Sequence, residues 1–294
     1  MGGYMNFIFI VNPISGNGKS IKAIKAIEEY CKATKVKYRI IYTNRKNEAK
    51  EIAARLKKYE ESTIFSVGGD GTLNEVVNGI ANSNIKLGII PSGTGNDFYR
   101  TFKDLKENKI DLGKVNDRYF INVASLGLDA EIANYANELK KHNLPSKLIY
   151  ILSLIHEYFL FKPINIDIDD INKDLTILTV CNAKYYGGGF KMAPLAKLND
   201  GKFDVIDVMS LNKLEIINLI SKLIRVKHIE SDMVNFYRTD SIYVNFLVPL
   251  NCNIDGEIIK NTSFDFNIKK EAINVDVENS NRINNFLKTK KIIK

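Results

Sequence analysis

Val67-Gly68-Gly69-Asp70-Gly71-Thr72-Leu73-Asn74-Glu75 sets three glycines, two carboxylates and two small polar side chains in one short run. Ahead of it, Thr63 to Val67 is β-branched and aromatic, and behind it Leu73, Val76, Val77 and Ile80 recur at helical spacing. The local order is therefore strand, glycine turn, helix. Glycine lets backbone N–H groups approach an anion without a Cβ in the way, and a helix N-terminus adds partial positive charge. Such a turn suits phosphate. The same residues also fit a tight strand-to-helix turn in which Asp70 or Thr72 caps the helix.

Two further glycine turns follow apolar, strand-like runs: Asn12-Pro13-Ile14-Ser15-Gly16-Asn17-Gly18-Lys19 and Pro91-Ser92-Gly93-Thr94-Gly95-Asn96-Asp97. Neither common nucleotide motif accounts for them. A Walker A loop ending in Gly18-Lys19-Ser20 requires glycine where the chain has Pro13. A dinucleotide fingerprint read from Gly69 or Gly93 requires a third glycine where Asn74 and Phe98 stand. Asn12 to Gly16 and Gly69 to Glu75 offer N–H donors and small side chains suited to the phosphates of ATP. Asp70 among phosphates implies Mg²⁺ between them, because hard cations prefer carboxylate and phosphate oxygen. Asp97 is a second-tier candidate carboxylate, and Asn96-Asp97 also fits an Asx turn and helix cap.

Apolar strands alternate with helical stretches up to about residue 120: Phe7 to Val11, helix Lys19 to Cys31, Tyr38 to Tyr42, helix Asn47 to Tyr59, Thr63 to Val67, helix Asn74 to Ala81, and Leu87 to Ile90. This alternation predicts an α/β domain with a parallel sheet and ligand loops at the carboxyl ends of its strands. From residue 121 the pattern turns β-rich, with strands at Asn165–Ile168, Leu175–Asn182, Phe203–Met209, Ser241–Val248 and Ile273–Val277 and helices at Leu148–Phe161 and Leu214–Lys222. The expected domains are residues 5–120 and 121–280. The apolar stretch Leu148 to Phe161 reads as a buried helix or as an acyl-chain wall. Tyr185 to Phe190 reads as a flexible aromatic loop.

At 294 residues and 45% hydrophobic content, the chain can bury a core. It has no apolar run of the roughly 18 to 20 residues that spans a bilayer, and no secretory leader pattern, so a cytoplasmic location is expected. Met1-Gly2 lacks the Ser or Thr of a myristoylation signal, having Asn6 at the sixth position, and Met1 to Tyr4 is set aside. Cys31, Cys181 and Cys252 are scattered, and His142, His156 and His228 share no metal-ligand spacing, so neither disulfides nor zinc are expected. The net charge of +8 accords with attraction to anionic lipid, or with a lysine-rich surface alone. Without a basic stripe of stacking aromatics, nucleic acid is not an expected partner.

Taken together, Asn-Pro-x-Ser-Gly at Asn12, Gly-Gly-Asp-Gly-Thr-x-Asn-Glu at Gly68 and Gly-Thr-x-Asn-Asp-Phe at Gly93 resemble the diacylglycerol-kinase catalytic domain of bacterial lipid kinases and of sphingosine and ceramide kinases. Asn122 to Ala130, Tyr186 to Pro194, Asn199 to Asp204 and Asp255-Gly256-Glu257 extend the likeness over nearly the whole chain. NAD kinases share the Gly-Gly-Asp-Gly-Thr block, but the Asn-Asp-Phe and Asp-Gly-Glu blocks favour the lipid-kinase branch.

The resemblance implies a Rossmann-like, NAD-kinase-like α/β N-terminal domain, completed by residues 281–294, and a mainly antiparallel β-sandwich C-terminal domain. It implies transfer of the γ-phosphate of ATP to a lipid hydroxyl, diacylglycerol above others, with Mg²⁺. The implied ATP contacts are Asn12, Pro13, Ile14, Ser15, Gly16, Thr43, Gly69, Asp70, Gly71, Thr72, Leu73, Asn74, Glu75 and Thr94. Glu257 becomes the general base, with Asp70 and Asp255 as further catalytic carboxylates. A second Mg²⁺ would take the Asp200 side chain and the carbonyls of Lys197 and Lys202. The expected partners are a lipid acceptor and a peripheral membrane surface, with a homodimer left open.

Overall fold

The computed structural model describes residues 6–142, 144 and 146–293, so Met1 to Tyr4 lies outside the described residues. The chain divides into two compact units, Met1–Asp111 with Lys270–Lys294, and Leu112–Lys269. The sequence expectation set the divisions after residues 120 and 280. The two compact units divide inside the strands Lys109–Val115 and Glu257–Val275, each of which runs from one unit into the other.

The first unit opens with β1 (Phe7–Val11), α1 (Lys19–Ala33), β2 (Tyr38–Tyr42), α2 (Glu48–Leu56), β3 (Thr63–Gly68), α3 (Asp70–Ile80), β4 (Lys86–Pro91), α4 (Asp97–Phe102) and the start of β5 (Lys109–Val115). β2, β1, β3 and β4 pair in that order, all parallel. Every residue of β1 and β3 is buried, as a parallel sheet covered on both faces requires. Ala23, Ile24, Ile27 and Cys31 of α1 fall at helical spacing on its buried side, against Phe9, Phe65 and Val67.

The second unit continues with β6 (Arg118–Phe120), β7 (Val123–Gly127), α5 (Leu128–Leu139), α6 (Ser146–Leu160), β8 (Ile164–Ile168), β9 (Ile171–Cys181), β10 (Phe203–Met209), α7 (Lys213–Ile224), β11 (Val234–Thr239), β12 (Ser241–Ile254) and most of β13 (Glu257–Val275). Strands β11, β10, β9, β7, β12 and β13 pair antiparallel in that order, and β8 pairs with β9 and β12. Successive strand residues alternate between two cores. Ala124, Val180 and Val205 join Phe120, Phe203 and Phe266 on one face. Val123, Cys181 and Ile206 join Leu128, Ile132, Ile216 and Leu219 of the covering helices on the other.

The last residues of β13 return to the first unit, where Asn274 and Val275 pair parallel with Lys86 and Leu87 of β4. The chain then forms α8 (Val277–Thr289), longer at both ends than the helix expected at Arg282 to Leu287. Its Asp276 cap accepts from Asn279 N, and Ile283 and Leu287 are fully buried. α3 differs from expectation in the other direction. It starts at Asp70, four residues before Asn74, so Asp70 and Gly71 form its first turn.

Candidate active site

Because β3 lies between β1 and β4, the three glycine turns emerge side by side at the carboxyl ends of adjacent parallel strands. Asn12 N donates to Val67 O at 3.1 Å, and Ser92 N and Gly93 N donate to Gly68 O at 2.9 and 3.1 Å. Asn12 Nδ2 donates to Thr72 Oγ1 at 3.2 Å, tying the first turn to the second. Backbone meets backbone where the turns touch. A Cβ on Gly93 would stand 2.3 Å from Gly69 Cα, and one on Gly16 would stand 1.9 Å from Ser92 O. At these positions glycine is required by contact between turns. At Gly71, in the first turn of α3, a Cβ would meet open space, so that stretch of backbone is the accessible one.

Asp70 links the second turn to the third, its Oδ1 accepting from Phe98 N at 3.1 Å. Burial pushes its carboxyl up, opposed by the backbone N–H groups of Asp97, Phe98 and Asn96. Its second oxygen faces Gly95, whose absent Cβ would lie 3.1 Å from Asp70 Oδ2 and 3.7 Å from Asp97 Oδ2. Two carboxylates thus border the one glycine. Hard oxygen donors of this kind fit Mg²⁺.

The other expected nucleotide contacts have local duties. Glu75 is engaged by α2. Its carboxylate accepts from Asn47 N at 2.9 Å and Ala49 N at 3.1 Å, capping α2 across space, where Asn47 itself makes no side-chain cap. Leu73 is buried in the core, so only its backbone could serve a ligand. Asn74 is buried, with its Oδ1 and carbonyl accepting from Asn78 Nδ2. Thr43 is buried beside Val11, whose carbonyl accepts from its N at 2.9 Å. Ile14 is 82% exposed, and Ser15 and Thr94 also border the turns. Pro13 sits in the exposed first turn.

In the second unit, Asp255 and Glu257 flank Gly256 in the tight turn between β12 and β13. Asp255 is wholly engaged. It accepts from Ile121 N at 2.7 Å, Asn122 N at 2.9 Å and Val123 N at 3.0 Å, pinning the turn to the start of β7. These bonds suit Asp255 to supporting the turn on which Glu257 stands. Glu257 pairs instead with Arg118 Nη2, an arginine that sequence reasoning missed. The pair is about a third exposed, so the carboxylate meets both a cation and solvent.

A buried polar chain supports the same turn. Asn253 Oδ1 accepts from Gly256 N at 2.9 Å, while its Nδ2 donates to Tyr186 Oη at 2.6 Å and Ser125 Oγ at 3.3 Å. Ser125 Oγ donates in turn to Asp129 Oδ2 at 2.5 Å. Tyr186 and Phe190 exchange backbone hydrogen bonds across Gly187, Gly188 and Gly189, all at positive φ. The aromatic loop is therefore a clamped hairpin at its base. The one signal in the sequence was an asparagine two residues before the acidic turn.

The Lys197, Asp200 and Lys202 group stands in the segment that leads into β10. Asp200 is held by Arg238 Nη2, Arg238 Nε also donates to Asp204 Oδ1 at 2.8 Å, and Lys202 N donates to Asp200 Oδ1 at 3.2 Å. The carboxylate of the expected cation turn is thus ion-paired with a guanidinium from β11.

Comparison with known proteins places both units. A family model described as the diacylglycerol kinase catalytic domain matches residues 6–119, and one described as the YegS C-terminal NAD kinase beta sandwich-like domain matches residues 122–277. This chain belongs to the diacylglycerol-kinase catalytic-domain family and is an enzyme of the lipid-kinase class. The Bacillus subtilis (strain 168) protein YtlR is 30% identical over 296 residues, covering 88% of this chain and 95% of the relative. A diacylglycerol kinase of the same strain is 32% identical over 229 residues, covering 71% and 74%. A crystal structure of a diacylglycerol kinase from Bacillus anthracis str. Sterne shares the fold, with a TM-score of 0.65 at 19% identity over 94% of this chain and 97% of the other.

Proposed function

We propose that this chain is an ATP- and Mg²⁺-dependent lipid kinase whose acceptor is diacylglycerol, giving phosphatidic acid. The observation that carries the reading is the meeting of three glycine turns at adjacent strand ends, with Asp70 and Asp97 bordering Gly95. The accessible first turn of α3 offers N–H groups and a helix N-terminus to phosphate. Asp70 and Asp97 would hold Mg²⁺, which when bound neutralises phosphate oxygens.

On the acceptor side, Glu257 takes the hydroxyl proton. The lipid oxygen bonds to the γ-phosphorus as the bond from that phosphorus to the β,γ-bridging oxygen breaks, and ADP leaves. Arg118 pairs with the Glu257 carboxylate, and Asp255 fixes the turn on which it stands. The expected acceptor follows relatives named diacylglycerol kinase. Among the described residues no helix is long and apolar enough to cross a membrane, so the enzyme would meet its lipid from the surface.

The test is transfer of labelled γ-phosphate from Mg·ATP to dispersed diacylglycerol, sphingoid base, ceramide, monoacylglycerol and phosphatidylglycerol, with NAD as a soluble control. Glu257→Gln is expected to lower transfer to diacylglycerol by about 10²- to 10⁴-fold while nucleotide binding persists. Label in another lipid would reassign the acceptor. ATP binding without transfer to any acceptor would make the chain a nucleotide-binding regulator.

A further inference from the structure

α6 has an apolar face that the described residues leave exposed. Ile149 and Ser153 are buried, and Leu154 and Tyr158 pack on the helix-covered core. Leu148, Ile151, Leu152, Ile155 and Phe159 are exposed, with Ile155 at 52% and Phe159 at 63%. Their spacing of three, four, seven and eleven from Leu148 sets them along one side of the helix. The only acid of α6 is Glu157, whose side chain is 14% exposed and contacts His156 at 3.0 Å. The stripe therefore carries no exposed acid, unlike an ordinary solvated helix face.

The stripe runs into a basic edge. Lys213, at the start of α7, donates to Phe159 O at 3.2 Å and lies 5.2 Å from the Phe159 ring centroid. Beyond it α7 exposes Leu214 at 78% and Ile217 at 52%. Lys162 follows α6 directly and is exposed, as are Arg225 and Lys227 after α7.

We propose that the exposed stripe of α6, with Lys213 and Leu214 at its end, is a docking face for an anionic bilayer surface. α6 would lie in the interface plane, its apolar side chains among the acyl chains and the lysines among phosphates. A 15-residue helix is about 22 Å long, too short to span a hydrocarbon core of about 30 Å. A second copy of this chain answers the charge less well, because a two-fold contact would bring another acid-free, lysine-edged stripe against this one. The inference rests on the lipid-acceptor reading, since an enzyme that phosphorylates a bilayer lipid must reach the interface.

The test is co-sedimentation of the full chain, without ATP, with vesicles of equal parts phosphatidylcholine and phosphatidylglycerol. The double change Ile155→Ser with Phe159→Ser is expected to weaken vesicle binding at least about tenfold, and Lys213→Ala about fivefold. Leu247→Ser, at a residue 97% exposed on β12, is the control and should bind as the native chain does. Unchanged thermal unfolding of the double variant would show that it folds. Native-like vesicle binding by the folded double variant would overturn the proposal, as would absence of binding by the native chain. So would a native dimer that the double change makes monomeric while vesicle binding persists, which would give the face to a second copy. Vesicle binding that is lost with the stripe supports the docking face even if no lipid accepts phosphate, in which case only the kinase reading falls.

Discussion

Asp255 and Glu257 are two positions apart and have different tasks, and substitution should separate them. Asp255→Ala leaves three backbone N–H groups without their charged acceptor and should lower unfolding stability by about 3 kcal/mol. Glu257→Gln breaks one partly exposed ion pair and should change stability by less than about 1 kcal/mol while removing the proton acceptor. Urea denaturation of both variants checks this, and equal losses would reject the division of labour. Glu75→Ala should cost about 1 kcal/mol by uncapping α2, with nucleotide affinity unchanged by equilibrium titration. These roles explain what the sequence could and could not convey. The residue types of the acidic turn and the glycine blocks were legible. Which carboxylate was already engaged was not, because Asp255 and Glu75 find their donors 132 to 134 and 26 to 28 positions away. Arg118 and Arg238 were missed for the same reason, as lone arginines in unremarkable strands.

The strands and helices of the parallel sheet were readable from apolar period and length, and the observed bounds of β1, β2 and β10 equal those expected. Elsewhere tertiary partners moved the ends. α3 gains its first turn because Asp70 is held by the N-terminus of α4, a contact invisible in local propensity. β12 runs on to Ile254 past Pro249 because the register with β13 shifts between Asn245 and Leu250, letting a proline-bearing bulge stand inside a strand. α6 starts two residues before and ends one before the helix expected at Leu148–Phe161, and its exposed side could not be told from a buried one by composition alone. The Tyr186 to Phe190 hairpin was expected to be flexible and proves to be tethered. Tyr186→Phe removes the acceptor for Asn253 and should raise amide hydrogen exchange at Gly187 to Gly189 by several-fold. Exchange equal to that of the native chain would show that the backbone pair alone holds the loop.

The first unit is made from both ends of the chain, and its stability should depend on the later piece. Ile283 and Leu287 of α8 are fully buried, and Asn284 Nδ2 donates to Ile89 O at 2.9 Å. Burying the two aliphatic side chains contributes about 3 to 6 kcal/mol, against a total of about 5 to 15 kcal/mol for an ordinary domain. Removal of residues 277–294 should therefore abolish the cooperative unfolding transition of the first unit. Calorimetry that still showed this transition would refute the dependence. Net charge and composition bounded the class of protein, but this discontinuity was legible only through the family resemblance, since no repeat or linker marks where the chain leaves and returns.

An interrupted unit also sets an order of events at the ribosome. Synthesis proceeds at roughly 5 to 20 residues per second, and domains fold as they emerge. The inserted unit, Leu112–Lys269, is complete before the final segment has been made, so it can close while its host is still waiting. Until α8 leaves the exit tunnel, the nascent parallel sheet keeps apolar surface uncovered at β4. The time between closure of the inserted unit and emergence of α8 is thus the interval in which chaperones have most to hold.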